Sequence, residues 1–253
     1  MNDIAWYIYL IISLAGILAG FINTIAGSGS LITLPLLMFA GLPANVANGT
    51  NRIAILLQNI IGVSQFKKQK ILDTKTGLYL SIPTTVGALI GAFIAIDIDE
   101  RMMKLSIGVL LIIMFFLVLF QPDKWVKEKA GSIKAKPSIV QIIIFFFIGI
   151  YGGFIQAGVG FFLLSGLVLG IGYDLLKANA LKLLLILGYT PFALLVFIYH
   201  KQINFELGFT LAIGNMIGAF IASKTAHRLG NSFIRYVLLL ILLISATKLF
   251  GLF

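Results

Sequence analysis

Two short polar stretches, one in each half of the chain, carry residue types that bind anions. They occupy residues 45–52 and 177–182, and each ends in a cation, Arg52 or Lys182. Arginine suits an oxyanion because its planar fork donates two parallel hydrogen bonds. Asn and Thr side chains cap the exposed amides where a helix begins, and that end of a helix is partly positive. We therefore predict an anion site made of two helix N-termini and these two cations.

The predicted substrate-binding set extends beyond the two cations. A glycine-rich break precedes each polar stretch, and polar side chains near the breaks are expected to donate hydrogen bonds together with the freed amides. The complete set is Arg52, Lys182, Asn23, Ser28, Asn48, Asn51, Gln156 and Asn179. Ser30 and Thr33 are instead expected to bond to carbonyls of their own helix. The alternative for the cations is that each extends to the interface and anchors its helix.

The two polar stretches belong to an internal duplication. Positions 131 residues apart match at small and polar residues more than at bulky apolar ones, which indicates retained backbone shape. The matched first-half positions are Gly27, Gly29, Gly41, Asn48, Gly77, Gly87 and Ala88. Repeated hydrophobic segments with matching breaks are typical of secondary transporters. Residues 87–91 and 214–218 are predicted to be small-residue packing faces.

Composition places the chain in a bilayer. It is 60% hydrophobic and 11% charged over 253 residues, with a mean hydropathy of +1.06. The net charge of +10 is explained by orientation in the membrane and by anionic lipid, so nucleic-acid binding is not expected. The absence of cysteine excludes disulfides and thiolate-built metal sites. The bilayer and a small anion are the expected partners, and a homodimer is left open.

The expected fold is an all-α polytopic membrane protein of two homologous halves, residues 1–120 and 139–253, joined by a basic cytoplasmic linker at 121–138. The second segment of each half is too short to cross unaided, because a crossing needs roughly 20 helical residues. It must be tilted, broken or re-entrant. The apolar segments lie at about 4–26, 30–42, 46–66, 76–96 and 102–120, and at about 139–157, 160–173, 178–199, 204–226 and 232–252.

Loop charges favour five crossings in each half. Lysines at 67–75 and in the linker mark the cytoplasmic side, and the acidic loop at 97–100 fits the outside. With five crossings the basic cluster of Lys224, His227, Arg228 and Arg235 also falls inside. An odd number inverts one half relative to the other, an arrangement that alternating access commonly uses. The alternative is eight spans with two re-entrant segments.

The mechanism is constrained by residues that the sequence lacks. No carboxylate lies in the middle of an apolar segment to carry a proton relay. No Walker loop, H-E-x-x-H zinc pattern or nucleophile elbow is present, so we expect neither an enzyme nor a cofactor. A transporter is the first interpretation, and a passive small-anion channel is the alternative.

Residues 19–35, with 41–43, 47–52 and the second-half stretch 153–160, resemble the TauE/SafE family of membrane permeases, also called sulfite exporters. The resemblance spans essentially the whole chain. It implies a cell-membrane permease for sulfite, sulfoacetate or a related organosulfur anion. Ser28 and Ser30 interrupt what is often a longer glycine run, and Phe161 and Phe162 follow the second-half motif, which bears on the size of the substrate pocket.

Overall fold

A computed structural model describes residues 5–120, 137–225 and 231–249. In these ranges the regular structure is helical, which confirms the predicted all-α class. Among the described residues, five helices are long and apolar enough to cross a membrane, by length and composition. Residues 121–136 of the predicted basic linker, and His227 and Arg228 of the predicted basic cluster, lie outside the described residues.

In the described part of the chain, ten helices follow the ten predicted apolar segments. The first-half helices are α1 (Trp6–Ala26), α2 (Ser30–Phe39), α3 (Ala44–Lys68), α4 (Thr74–Asp97) and α5 (Glu100–Leu119). The second-half helices are α6 (Ile139–Phe154), α7 (Val159–Ser165), α8 (Leu175–Tyr199), α9 (Phe205–Thr225) and α10 (Asn231–Leu249). A π-helical turn, Gly166–Ile171, continues α7. The short second segment of each half is therefore helical but lies directly after a break.

The backbone repeats with the same spacing as the sequence. Residues with positive φ occur in pairs 131 positions apart, as with Gly27 at +75° and Gly158 at +74°. Gly41 and Gly172, at +97° and +96°, form a second such pair. Lys70 and Lys201, which are not glycines, adopt 59° and 57° in equivalent turns. Since L-residues rarely adopt this region, paired occurrences indicate that the turns of the repeat were retained.

The two halves pack against each other through two equivalent pairs of helices. α1 packs on α9, and the equivalent α6 packs on α4. At the first contact, a methyl group on Gly214 or Gly218 would overlap the carbonyl of Ser13 or Ile17. At the second, Gly87 and Gly91 of α4 approach the α6 backbone equally closely. The predicted small-residue packing faces are thus confirmed, because only glycine lets these backbones approach so closely.

Contacts along these interfaces give the helix directions. Thr50 and Gln58 of α3 bond to Asn204 and Asn215 of the α9 side, so α3 and α9 are parallel. Gly49 lies beside Phe197 and Gly62 beside Leu183, so α3 and α8 are antiparallel. α1 is also parallel to α9, and therefore to α3. The short α2 joins α1 to α3, so it must run in the opposite direction to both. That one half is inverted in the bilayer relative to the other stays a prediction. It requires equivalent helices to be antiparallel, as α3 and α8 are.

Asp73 joins the start of α4 to the loop before α8. Its carboxylate accepts hydrogen bonds from the Thr76 amide (3.1 Å) and from the Tyr173 hydroxyl (2.6 Å). Partial burial acts to raise the pKa of Asp73, but these hydrogen bonds outweigh it and hold the pKa below its ordinary value. A lowered carboxyl pKa adds stability above the ordinary value of about 4, and that stability is lost as the pH falls through the folded-state value.

We expect Asp73→Asn to lower thermal stability at pH 7 by the equivalent of about 0.3–1 kcal/mol, because asparagine still caps the helix but removes the negative charge at its N-terminus. The difference from the parent protein should shrink as the pH is lowered below about 4, where the parent carboxylate is also neutralised. Thermal unfolding in detergent, followed from pH 3 to pH 8, measures this. Asp97→Asn, at the other end of α4, is the control and should show no such loss. Equal stability of Asp73→Asn and parent at pH 7 would contradict the prediction.

Candidate functional site

The two glycine breaks meet at the centre of the molecule. A methyl group on Gly27 would lie 2.5 Å from the carbonyl carbon of Gly160, and one on Gly160 would overlap Gly27. The C-termini of α1 and α6 and the N-termini of α2 and α7 end at these breaks. Broken helices whose ends meet at membrane depth are tolerated where protein or a polar cavity covers the freed backbone groups. The breaks therefore place polar backbone ends inside the helical bundle.

Lys182 reaches across from the second half to the end of α1. Its ammonium donates to the carbonyls of Asn23 (2.9 Å) and Thr24 (3.0 Å) and to the Asn179 side chain (2.8 Å). The side chain is fully buried. The last carbonyls of a helix carry a partial negative charge, so a cation there is favourable. Lys182 thus binds the C-terminus of α1 from a helix of the other half.

Arg52 does the same for the end of α6. Its Nη2 donates to the Gly153 carbonyl (2.6 Å), and its Nη1 donates to the Gly152 carbonyl (3.2 Å) and to Gln156 Oε1 (3.3 Å). The guanidinium is fully buried and lies 4.6 Å from the centre of the Phe197 ring. Asn48, one turn earlier, donates to the next carbonyl of α6, at 2.7 Å. Each half therefore supplies the cation that binds the broken helix of the other.

Neither buried cation has an acidic partner in the part of the chain that the structure describes. The salt bridge found there joins Lys177 and Asp174 near the start of α8. Carbonyl dipoles stabilise Arg52 and Lys182 but do not neutralise them. Buried charge in a membrane protein is expensive, and it is paired or marks an ion pathway. Two such cations beside the meeting point of the breaks make this region electropositive.

Hydrogen-bond donors without acceptors lie in the same region. Ser28 Oγ, Asn51 Nδ2 and Arg52 Nε are buried and have no hydrogen-bond partner among the described residues. Thr33 donates to Asn51 Oδ1 (2.6 Å), which leaves the Asn51 amide group as the end without a partner. Native structures rarely leave buried polar groups unpaired, and such groups call for a physical explanation. Donors of this kind beside buried cations suit an anionic ligand.

Several expectations from the sequence require correction. Helix α3 starts at Ala44 after Pro43 and has no side-chain cap, so Asn48 and Asn51 lie inside the helix and do not cap it. The cations lie against the C-terminal carbonyls of α1 and α6, whereas the sequence suggested helix N-termini. The alternative in which Arg52 and Lys182 extend to the interface is also wrong, since both are fully buried.

The remaining members of the predicted set lie close to the cations. Asn23 contributes its backbone carbonyl, Asn179 its side-chain oxygen, and Gln156 bridges Arg52 to the Tyr189 hydroxyl (2.9 Å). Sequence reasoning missed Tyr189. It also assigned Thr33 to its own helix, because a β-branched hydroxyl residue in an apolar helix carries no signal of a long-range partner. Tyr189 is 131 residues after Gln58, so a comparison of polar positions between the two halves is the signal that could have found it.

A second polar feature is a cleft of about 340 Å³ where the α2–α3 turn approaches the start of α5 and the end of α10. Lys104 and Lys248 lie in its wall together with Glu100, and the Lys248 ammonium lies 4.4 Å from the centre of the Phe39 ring. This cleft lies at the end of the bundle where α3 begins. It is separate from the residues that bind the two broken helices.

Comparison with known proteins agrees with this architecture. The sequence profile described as Sulfite exporter TauE/SafE matches residues 12–249. Probable membrane transporter protein ORF9 of Sinorhizobium sp is 26% identical over 249 residues, covering 98% of this chain and 95% of that protein. Probable membrane transporter protein YfcA of Escherichia coli K12 is 28% identical over 233 residues, covering 92% and 86%. A Probable membrane transporter protein of Haemophilus influenzae is 25% identical, covering 92% and 91%.

No solved structure matches the chain. The family match covers nearly all of the chain and includes both glycine breaks and both buried cations. The chain belongs to the TauE/SafE family of sulfite exporters, a family of membrane transporters.

Proposed function

We propose that this protein moves a small sulfur-containing oxyanion or organosulfonate across the cell membrane by alternating access, with sulfite as the first candidate. The observation that carries the proposal is the pair of fully buried cations, Arg52 and Lys182, with no acidic partner among the described residues. An anion bound between them supplies the missing negative charge. Charge-assisted hydrogen bonds to a sulfur oxyanion are about twice as strong as neutral ones.

The unpaired donors give the proposed site its shape preference. Arg52 Nε, Asn51 Nδ2 and Ser28 Oγ each have one donor group available. Sulfite and sulfonates present three oxygens on one sulfur, so several donors can be satisfied by one ligand. A spherical halide accepts hydrogen bonds without this arrangement of oxygens. We therefore expect sulfur oxyanions to bind more tightly than chloride.

The arrangement of the helices supports alternating access. Antiparallel α3 and α8 each carry one cation, and each cation holds a broken helix that belongs to the other half. Movement of one half relative to the other therefore changes both sets of contacts together. Transporters with inverted repeats use such motions around a central site. In the structure described here Arg52 and Lys182 are closed off from solvent, as an occluded state requires.

Uptake into proteoliposomes tests the proposal. Sulfite, sulfate, thiosulfate, sulfoacetate, taurine and chloride are compared, each with an imposed proton or sodium gradient and without one. We expect saturable uptake of one sulfur anion that is accelerated by the same unlabelled anion on the opposite side. Empty liposomes are the control. Unsaturable flux of all the anions, with unitary current steps, would replace the transporter by a channel.

A further inference from the structure

Buried polar atoms without partners are concentrated on one helix. Six of these atoms among the described residues belong to α3. They are Asn45 Oδ1, Asn48 Oδ1, Asn51 Nδ2, Arg52 Nε, Gln58 Nε2 and Asn59 Oδ1. The first four lie on the stretch of α3 from its start to Arg52. The last two lie beyond Arg52 and have no part in the site described above.

The polar cluster consists of Gln58 and the next residue of α3, Asn59, together with Asn215 of α9; Asn59 Nδ2 donates to the Ile55 carbonyl at 2.7 Å. Asn215 Nδ2 donates to Gln58 Oε1 at 3.1 Å, while Gln58 Nε2 and the side-chain oxygens of Asn59 and Asn215 have no partner among the described residues. All three side chains are at most 1% exposed. Gln58 and Asn59 lie six and seven residues after Arg52, which is about 9–10 Å farther along the helix toward Lys67.

The polar cluster is not a general feature of the repeat. The positions of α8 that match Gln58 and Asn59 are Tyr189 and Thr190. Both of these are paired: Tyr189 accepts from Gln156 at 2.9 Å, and Thr190 donates to the Ile186 carbonyl at 2.6 Å. Packing alone thus needs no amide at this depth. Asn59 Nδ2 makes the equivalent bond to the Ile55 carbonyl at 2.7 Å, so the halves differ in the amide atoms that remain without a partner, Gln58 Nε2 and Asn59 Oδ1.

We propose that Gln58, Asn59 and Asn215 form a second binding site for the transported anion and the water that accompanies it, between the central cations and the Lys67 end of α3. This inference rests on the proposed function and extends it along the pathway. Amide groups offer both a donor and an acceptor. The atoms without partners are one donor, Gln58 Nε2, and two acceptors, the side-chain oxygens of Asn59 and Asn215. They suit a protonated or hydrated oxyanion that has left the cations, because its O–H groups or its water can donate to the two acceptors.

The absence of cysteine from the chain allows a direct test. Gln58→Cys, Asn59→Cys and Asn215→Cys are prepared singly, reconstituted, and treated with a charged, membrane-impermeant maleimide without any sulfur anion. Ile60→Cys is the matched control because Ile60 is on the same helix but is 43% exposed, so in the bilayer we expect it to face lipid and not water. We expect the three pathway cysteines to react at least about tenfold faster than the control, because thiolates form only where water enters. Equal rates would overturn the proposal.

Uptake on the same proteoliposomes separates this inference from the proposed function. Gln58→Met and Asn59→Leu remove the amides while keeping the size of each side chain, and Ile60→Met is the control. We expect uptake to fall at least about tenfold in both variants. Gln58→Met leaves the buried Asn215 Nδ2 donor without its acceptor and should also lose some thermal stability, whereas Asn59→Leu should change stability little. If these variants transport at the parent rate, the cluster is interhelical packing only. If the parent itself transports no sulfur anion, the proposed function fails, while the labelling result still reports whether water reaches the cluster.

Discussion

Arg52→Met and Lys182→Met are each expected to reduce saturable uptake of the transported anion by about 10- to 100-fold. Hydrogen bonds to charged groups contribute about 1.5–3 kcal/mol, and each 1.4 kcal/mol is a factor of ten in affinity. Each variant removes a fully buried cation that lies beside donors without partners. The measurement is initial uptake as a function of substrate concentration, which separates a change in KM from a change in turnover.

Charge-retaining variants distinguish a role in binding the substrate from a role in holding the broken helices. Arg52→Lys keeps the charge but loses the fork that donates to the carbonyls of Gly152 and Gly153. Intermediate uptake is therefore expected. Lys67→Met changes an exposed lysine of the same helix and is the control for a lost charge. Thermal unfolding of every variant shows whether it is folded. A folded Arg52→Met protein with parental uptake would show that the proposed site is wrong.

Substitutions at four glycines are expected to separate backbone strain from steric overlap at the breaks. Gly27→Ala combines both, because Gly27 has φ of +75° and a methyl group there would lie 2.5 Å from Gly160. Gly160→Ala introduces overlap with Gly27 but no positive φ. Gly41→Ala introduces strain alone, since φ is +97° and nothing lies within 4 Å. Gly170→Ala introduces neither and is the control.

The expected order of thermal stability follows from these contacts. A non-glycine residue in the left-handed region costs about 1–2 kcal/mol, and overpacking typically costs about 1–3 kcal/mol. Gly170→Ala should match the parent, Gly41→Ala and Gly160→Ala should be less stable, and Gly27→Ala should be the least stable. Uptake should fall in Gly27→Ala and Gly160→Ala, where the two breaks are forced apart. Parental stability and uptake of Gly160→Ala would show that the breaks need not touch.

Much of the fold was predictable because membrane helices leave a strong pattern. A bilayer admits only helices or closed barrels, so the length and spacing of apolar segments define the elements. The ten predicted segments correspond to α1 through α10 within about three residues at each end, when the π-helical turn to Ile171 is counted with α7. The positions of the breaks were also predictable, because Gly27 and Gly158 recur with identical spacing in otherwise apolar sequence. The short α2 and α7 follow from those breaks.

The partners of the polar side chains were not predictable from the same pattern. Arg52 and Lys182 were recognised as cations near helix starts, but their bonds run to α6 and α1, 100 or more residues away. A hydrogen bond to a backbone carbonyl leaves no trace in the residue type that provides the carbonyl. The role of Thr33 was mistaken for the same reason: its hydroxyl bonds to Asn51 of the next helix.

The sequence by itself determined that the chain lies in a bilayer, that it is helical, that it is duplicated, and which residue types form the site. These depend on composition and periodicity, which are local properties of the chain. Only the tertiary structure decided that each cation binds the broken helix of the other half, that Gly27 touches Gly160, and that unpaired amides continue along α3. Those relations depend on which helices lie side by side and in which direction. Glycine and alanine faces make such packing close, but they do not specify the partner helix.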